Sequence, residues 1–62
     1  AQGRHRDAEP LLRRALLMKE NTLGPYHPSV AHTLTNLAEV LDQLGRGDEA
    51  AKMRLRAAAI TK

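Results

Sequence analysis

Sixty-two residues allow one small domain at most, and ten of the 26 hydrophobic residues are alanines. Sixteen larger apolar side chains, none of them Phe or Trp, make a thin core that leans on neighbouring repeats or on a second copy of the chain. The absence of cysteine excludes a disulfide, a thiolate metal site and a cysteine nucleophile.

Residues 1–6 read as the end of a turn, with Gly3 breaking a helix and Arg4, His5 and Arg6 leading out of it. A first helix is expected from Asp7 onward. Ala8, Leu11, Leu12, Ala15 and Met18 fall on one stripe, with Leu16 at its edge and Leu17 opposite. Asp7 and Glu9 are placed in its first turn, where carboxylates oppose the positive end of the helix dipole. Pro10 is placed there too, because a first-turn residue has no intrahelical N–H bond to lose.

Residues 21–27 form a connection, marked by Gly24-Pro25 and closed by His27-Pro28, with His27 expected to cap or pack the next helix start. The second helix is predicted over 28–44. Val30, Leu34, Leu37, Ala38, Leu41 and Leu44 make its apolar side at i, i+3, i+4, i+7 spacing. His32, Thr35, Asn36, Glu39, Asp42 and Gln43 make a wholly polar opposite side. Gly45 ends the helix as a left-handed C′ residue would. The turn 45–47 is too short for anything except an antiparallel neighbour. A last helix is therefore expected over about 48–61, with Asp48 and Glu49 in its first turn and Ala50, Met53, Ala57 and Ile60 facing inward.

Gly3-Arg4 recurs as Gly45-Arg46, a period of 42 residues. A fixed period of this size marks a stacked helical-repeat array. The fold class is accordingly all-α, with residues 1–22 as the second helix of one repeat and 23–62 as one full repeat. The chain opens in repeat text without an initiator Met, and a piece of a longer protein is expected.

Charge and composition narrow the partners. The net charge is +3, but ten basic residues are interleaved with seven acidic ones. Helical pairs such as Glu9 with Arg13 and Asp48 with Lys52 account for several of them. A nucleic-acid surface would need a continuous basic stripe with stacking aromatics, so no nucleic-acid partner is expected. No apolar run approaches the roughly 20 residues of a membrane span, and no signal-like segment is present. No membrane association is expected, and a cytoplasmic location is.

Catalytic and metal chemistry find no support in the residue pattern. His27 and His32 are five apart and do not share a helix face, and His5 is placed in a turn. Glu39 and Asp42 are i,i+3 neighbours on a polar face, without the burial that separates the pKa values of an acid/base pair. Ser29 lies near His27 and His32 without an orienting third group. No metal, no cofactor and no enzymatic activity are expected.

The stretch LGPYHPSVAHTLTNLAEVLDQLGRGDEA resembles the recurring text of tetratricopeptide repeats of the longer, kinesin-light-chain-like variety. DAEPLLRRALLMKE is similar to the second helix of that repeat. The resemblance covers essentially the whole chain and implies about one and a half units of a right-handed α-solenoid. Leu34, Leu37, Ala38 and Leu41 match packing positions of the first helix, and Gly45 matches the turn. Ala50 and Ala57, like Ala8, Leu12 and Ala15 in the earlier copy, match positions where helices pack closely. Two departures stand out. Gly47 and His5 occupy positions that are usually aromatic, and Arg54 stands where Leu12 stands one period earlier. Arg54 is expected either to mark a terminal cap with a polar outer face or to lie along a following helix with its head in water.

The resemblance implies that the polar side of the second helix lines the concave groove of a superhelix, where extended or helical peptide segments bind. His32, Thr35, Asn36, Glu39, Asp42 and Gln43 are the candidates, with Asn36 as a backbone clamp because its amide both donates and accepts. With no Lys or Arg between Asn21 and Gly45, Glu39 and Asp42 favour a basic or neutral peptide. The expected function is a protein–protein interaction module. Alternatives are a structural spacer, cap or oligomerisation element, and a sensor tail of a nucleotide-hydrolysing switch protein.

Overall fold

A computed structural model describes the backbone of residues 2–61 and the side chains of residues 4–61. Three helices follow one another: α1 (Gln2–Leu23), α2 (Pro28–Gln43) and α3 (Gly47–Thr61). α2 packs against both of the others and carries most of the core.

The boundaries of α2 follow from its end residues. His27 is the N-cap, in an extended conformation, and its Nδ1 accepts a hydrogen bond from the Ser29 N–H at 3.0 Å. Pro28 takes the first helical position, where its missing N–H costs nothing. At the other end Gly45 is left-handed, with φ +77°. The Gly45 N–H donates to the Asp42 carbonyl at 3.0 Å and the Arg46 N–H to the Leu41 carbonyl at 2.8 Å. These two bonds are the paired closure of a Schellman cap. α3 is thereby turned back antiparallel to α2.

Val30, Leu34, Leu37, Ala38 and Leu41 are completely buried. Ala31 and Thr33 join them, although the period assigned neither to the core. Thr33 satisfies its hydroxyl locally: it donates to the Ser29 carbonyl at 3.1 Å and accepts from Lys19 Nζ at 3.1 Å. In α3, Ala50 and Ala57 are buried, with Met53 and Ile60 packed at the core margin. Leu44 is only half-buried, because it is already the C-cap of α2.

α1 corrects three expectations. It is helical from Gln2, so residues 2–6 are not a turn, and His5 lies on a helix; Ala1 is outside the described residues. A single Gly costs only about 1 kcal/mol in a helix. Consequently Asp7 and Glu9 are not in the first turn, and Pro10 lies in the helix interior. The proline ring is exposed, while Glu9 beside it is held by two arginines and Leu12 and Leu16 hold the next turns onto α2. These contacts oppose the break that Pro would otherwise impose. The third correction is rotational. Leu16, read as the stripe's edge, is the buried residue at 7% exposure, whereas Leu11 and Met18 stand 63% and 66% exposed. The apolar surface of α1 is wider than one helix contact, and α2 meets only its Leu12–Leu16 side.

Candidate functional site

The polar residues of α2 border two grooves. One lies between α1 and α2, with a volume of about 670 Å³. Ala8, Leu11, Leu12 and Val40 supply its apolar lining, and Asn36, Glu39, Asp42 and Gln43 its polar lining, with His5 contributed by α1. The other, about 510 Å³, lies between α2 and α3 and includes His32, Thr35 and Arg54. The six candidates are therefore not one cluster. Four border the first groove and two the second.

Asn36 is half-buried, and among the described residues its amide makes no hydrogen bond within the chain. Thr35 donates its hydroxyl to the Ala31 carbonyl at 3.1 Å, which leaves it an acceptor. Asp42 is paired with Arg54, whose guanidinium donates to its Oδ2. That hydrogen bond, and the attraction of Asp42 and then Glu39, raises the Arg54 pKa above its ordinary value. The acidic character expected of Glu39 and Asp42 together therefore rests mainly on Glu39. A survey of one helix cannot see this partner, because Arg54 arrives from α3 across the tight turn. Arg54 thus turns back onto α2.

Sequence reasoning also missed an ion-pair cluster that joins α1 to α3 and to the turn before it. Glu9, only 16% exposed, meets Arg13 at 2.9 Å and Arg46 at 2.7 Å. Glu49 meets Arg13 at 2.9 Å and also pairs with Arg46. A further pair, Arg56 with Glu20 at 2.9 Å, links α3 to α1. Of the two i,i+4 pairs expected from sequence, Glu9–Arg13 forms and Asp48–Lys52 does not. The recurrence of Gly-Arg was the visible signal for Arg46; its acidic partners, 37 and 3 residues away, needed the fold.

Arg46, and after it Arg13, holds the Glu49 carboxyl below its ordinary value of 4.5. The favourable contribution of Glu49 is fully present above that value and is lost as the pH falls through the lowered one. Acidification from about pH 6 to about pH 3 should lower the melting temperature, and more gently in Glu49→Gln. Far-UV circular dichroism melts at low salt measure this, and superimposable pH curves for the two proteins would refute it. High salt should narrow the difference, since these charges are exposed.

Among the described residues no group of three or more His, Cys, Asp or Glu gathers as a metal site would require. None of their helices is long and apolar enough to cross a membrane.

Antiparallel helices, a glycine-closed hairpin and a sequence period that spans them define an all-α helical-repeat protein. The tetratricopeptide repeat family model matches residues 1–62. The chain belongs to that family, whose members are generally non-catalytic modules for protein–protein interaction. Neither the curated proteins nor the solved structures provide a significant match.

Proposed function

We propose that this chain binds a peptide segment of a partner protein along the exposed side of α2, as the kinesin-light-chain-like variety of the family does. In this reading residues 1–22 close one repeat, residues 23–62 form the next, and the polar side of α2 faces the concave surface of a longer array. The observation that carries it is Asn36: an uncommitted amide at the lip of an open groove with an apolar floor. An amide there can accept from and donate to a peptide backbone without reading its side chains. Glu39 adds a local preference for basic or neutral peptides. His32, Thr35 and Gln43 offer further polar contacts, and Asp42 acts through its pair with Arg54.

The test is affinity capture from native lysate, with the wild-type chain beside Asn36→Ala/Glu39→Lys, both confirmed helical by circular dichroism. Proteins held by the wild type should be depleted roughly tenfold on the variant, the scale of one or two lost hydrogen bonds. Equal retention on both baits would remove this face of α2 from the binding surface.

A further inference from the structure

The polar side of α2 carries two carboxylates, Glu39 and Asp42, and the helix has no Lys or Arg. The charge of that side therefore depends on what the neighbouring helices bring to it. α1 brings the apolar Leu12 to the groove that Asp42 borders. One sequence period later the same position is Arg54 of α3. Its side chain reaches α2 from the opposite flank, and its guanidinium donates to Asp42 Oδ2. Arg13, Arg46 and Arg56 meet Glu9, Glu49 and Glu20, none of which lies on α2. Among the described residues Arg54 is thus the one cation paired with this side. Two carboxylates against one guanidinium leave a single net negative charge.

Both members of the pair are a little under half exposed. An exposed ion pair shifts an equilibrium by about fivefold at most, so it holds while nothing else is offered and yields to a better-placed cation. The guanidinium occupies the same carboxylate that a lysine or arginine of a bound peptide would seek. We infer that Arg54 is a specificity-determining residue of the peptide site, a tethered counter-ion that competes with basic side chains for Asp42 and moves the preference from basic towards neutral segments. The inference rests on the reading of α2's polar side as a peptide site. It needs only that the guanidinium reach Asp42, so it is indifferent to what packs on the outer side of α3. The same geometry carries a converse. Removing the Asp42 charge leaves the guanidinium free beside Glu39, where it draws an acidic segment instead.

Two short acetylated and amidated peptides are the probes, one alternating lysine with alanine and the other glutamate with alanine. Each is titrated at low salt into the full 62-residue chain, and the side-chain amide resonances of Asn36 and Gln43 report binding. Arg54→Gln should bind the lysine peptide about three- to fivefold more tightly than the wild type. Asp42→Asn should bind it more weakly by a similar factor, and the double variant should return to within about twofold of the wild type. The glutamate peptide should follow the reverse order, whereas a merely structural role for Arg54 would move both peptides the same way. Arg54→Lys, which keeps the charge, should stay near the wild type for both, and about 0.5 M salt should merge the series. Arg56→Gln removes the same charge from the pair with Glu20 and should change nothing. Three outcomes overturn the inference: equal gains from Arg54→Gln and Arg56→Gln, an Arg54→Gln affinity equal to that of the wild type, or no saturation of Arg54→Gln by the lysine peptide up to about 5 mM. Asn36→Ala separates the inference from the reading beneath it. Loss of both peptides in Asn36→Ala, with Arg54→Gln silent, sustains the peptide site and refutes its charge control. A charge order that persists in Asn36→Ala, read at Gln43, refutes the backbone clamp and sustains the role of Arg54.

Discussion

Leu34→Ala is expected to destabilise the chain by about 3 kcal/mol, within the range for emptying a fully buried leucine site. Leu34 has no exposed surface and lies among Val30, Leu37 and Leu41, which are equally buried. A chain of this size has a total stability of roughly 3–9 kcal/mol, taking the usual contribution per residue. The substitution therefore leaves the protein near its folding limit, and Leu34→Asp leaves it unfolded. The effect is large because α2 is the helix that both α1 and α3 pack against. Urea unfolding followed by circular dichroism measures it, with Leu55→Ala as the reference. Leu55 is 72% exposed, and its truncation should stay within about 0.5 kcal/mol. Similar losses at the two positions would show that α2 is not the centre of the core.

Two glycines in one turn should respond to alanine with opposite signs. Gly45 sits at φ +77°, where an L side chain crowds its own backbone. The carbonyls of Asp42 and Leu41 are closed by N–H groups that this conformation aims at them. Gly45→Ala should cost about 1–2 kcal/mol through the left-handed strain alone. Gly47 is different. It begins α3 with an ordinary φ, and an added Cβ would meet only Asp42 Oδ1, at 4.0 Å. Gly47→Ala should therefore stabilise by about 0.4–1 kcal/mol by restricting the unfolded chain. One kcal/mol moves the melting temperature of so small a domain by about 4–8 °C, so thermal melts resolve both changes. A fall in melting temperature for both variants would mean that Gly47 is also conformationally required. The room beside Gly47 is of interest because the related repeats commonly place an aromatic residue there.

The first two helices differed in how far they could be read. At α2 the signals agree: an N-cap, a proline at the first helical position, an unbroken apolar series and a terminal glycine all mark the same helix. At α1 they conflict. Gly3 and Pro10 each argue locally against helix, and both lie inside one. The cost of about 1 kcal/mol at Gly3 is small beside that of a whole helix, and the larger one at Pro10 loses to the contacts of Glu9, Leu12 and Leu16 on either side of it. The candidate site divides in a similar way. The polar side of α2 was legible because polarity and helical period are properties of the sequence. Its division between two grooves, and the capture of Asp42 by Arg54, depend on where α1 and α3 lie.

By itself, then, the sequence determined the all-α class, the antiparallel turn at Gly45, the core of α2 and the family. These follow from spacing along one helix and from residues with special backbone geometry, which act over a few positions. Only the tertiary structure decided which edge of α1 meets α2, why Thr33 can be buried, and how Glu9, Arg13, Arg46 and Glu49 come together. An apolar stripe states that a helix has a face to cover. The rotation at which a neighbour covers it is set by the shape and charge of both helices, and those meet only in the folded molecule.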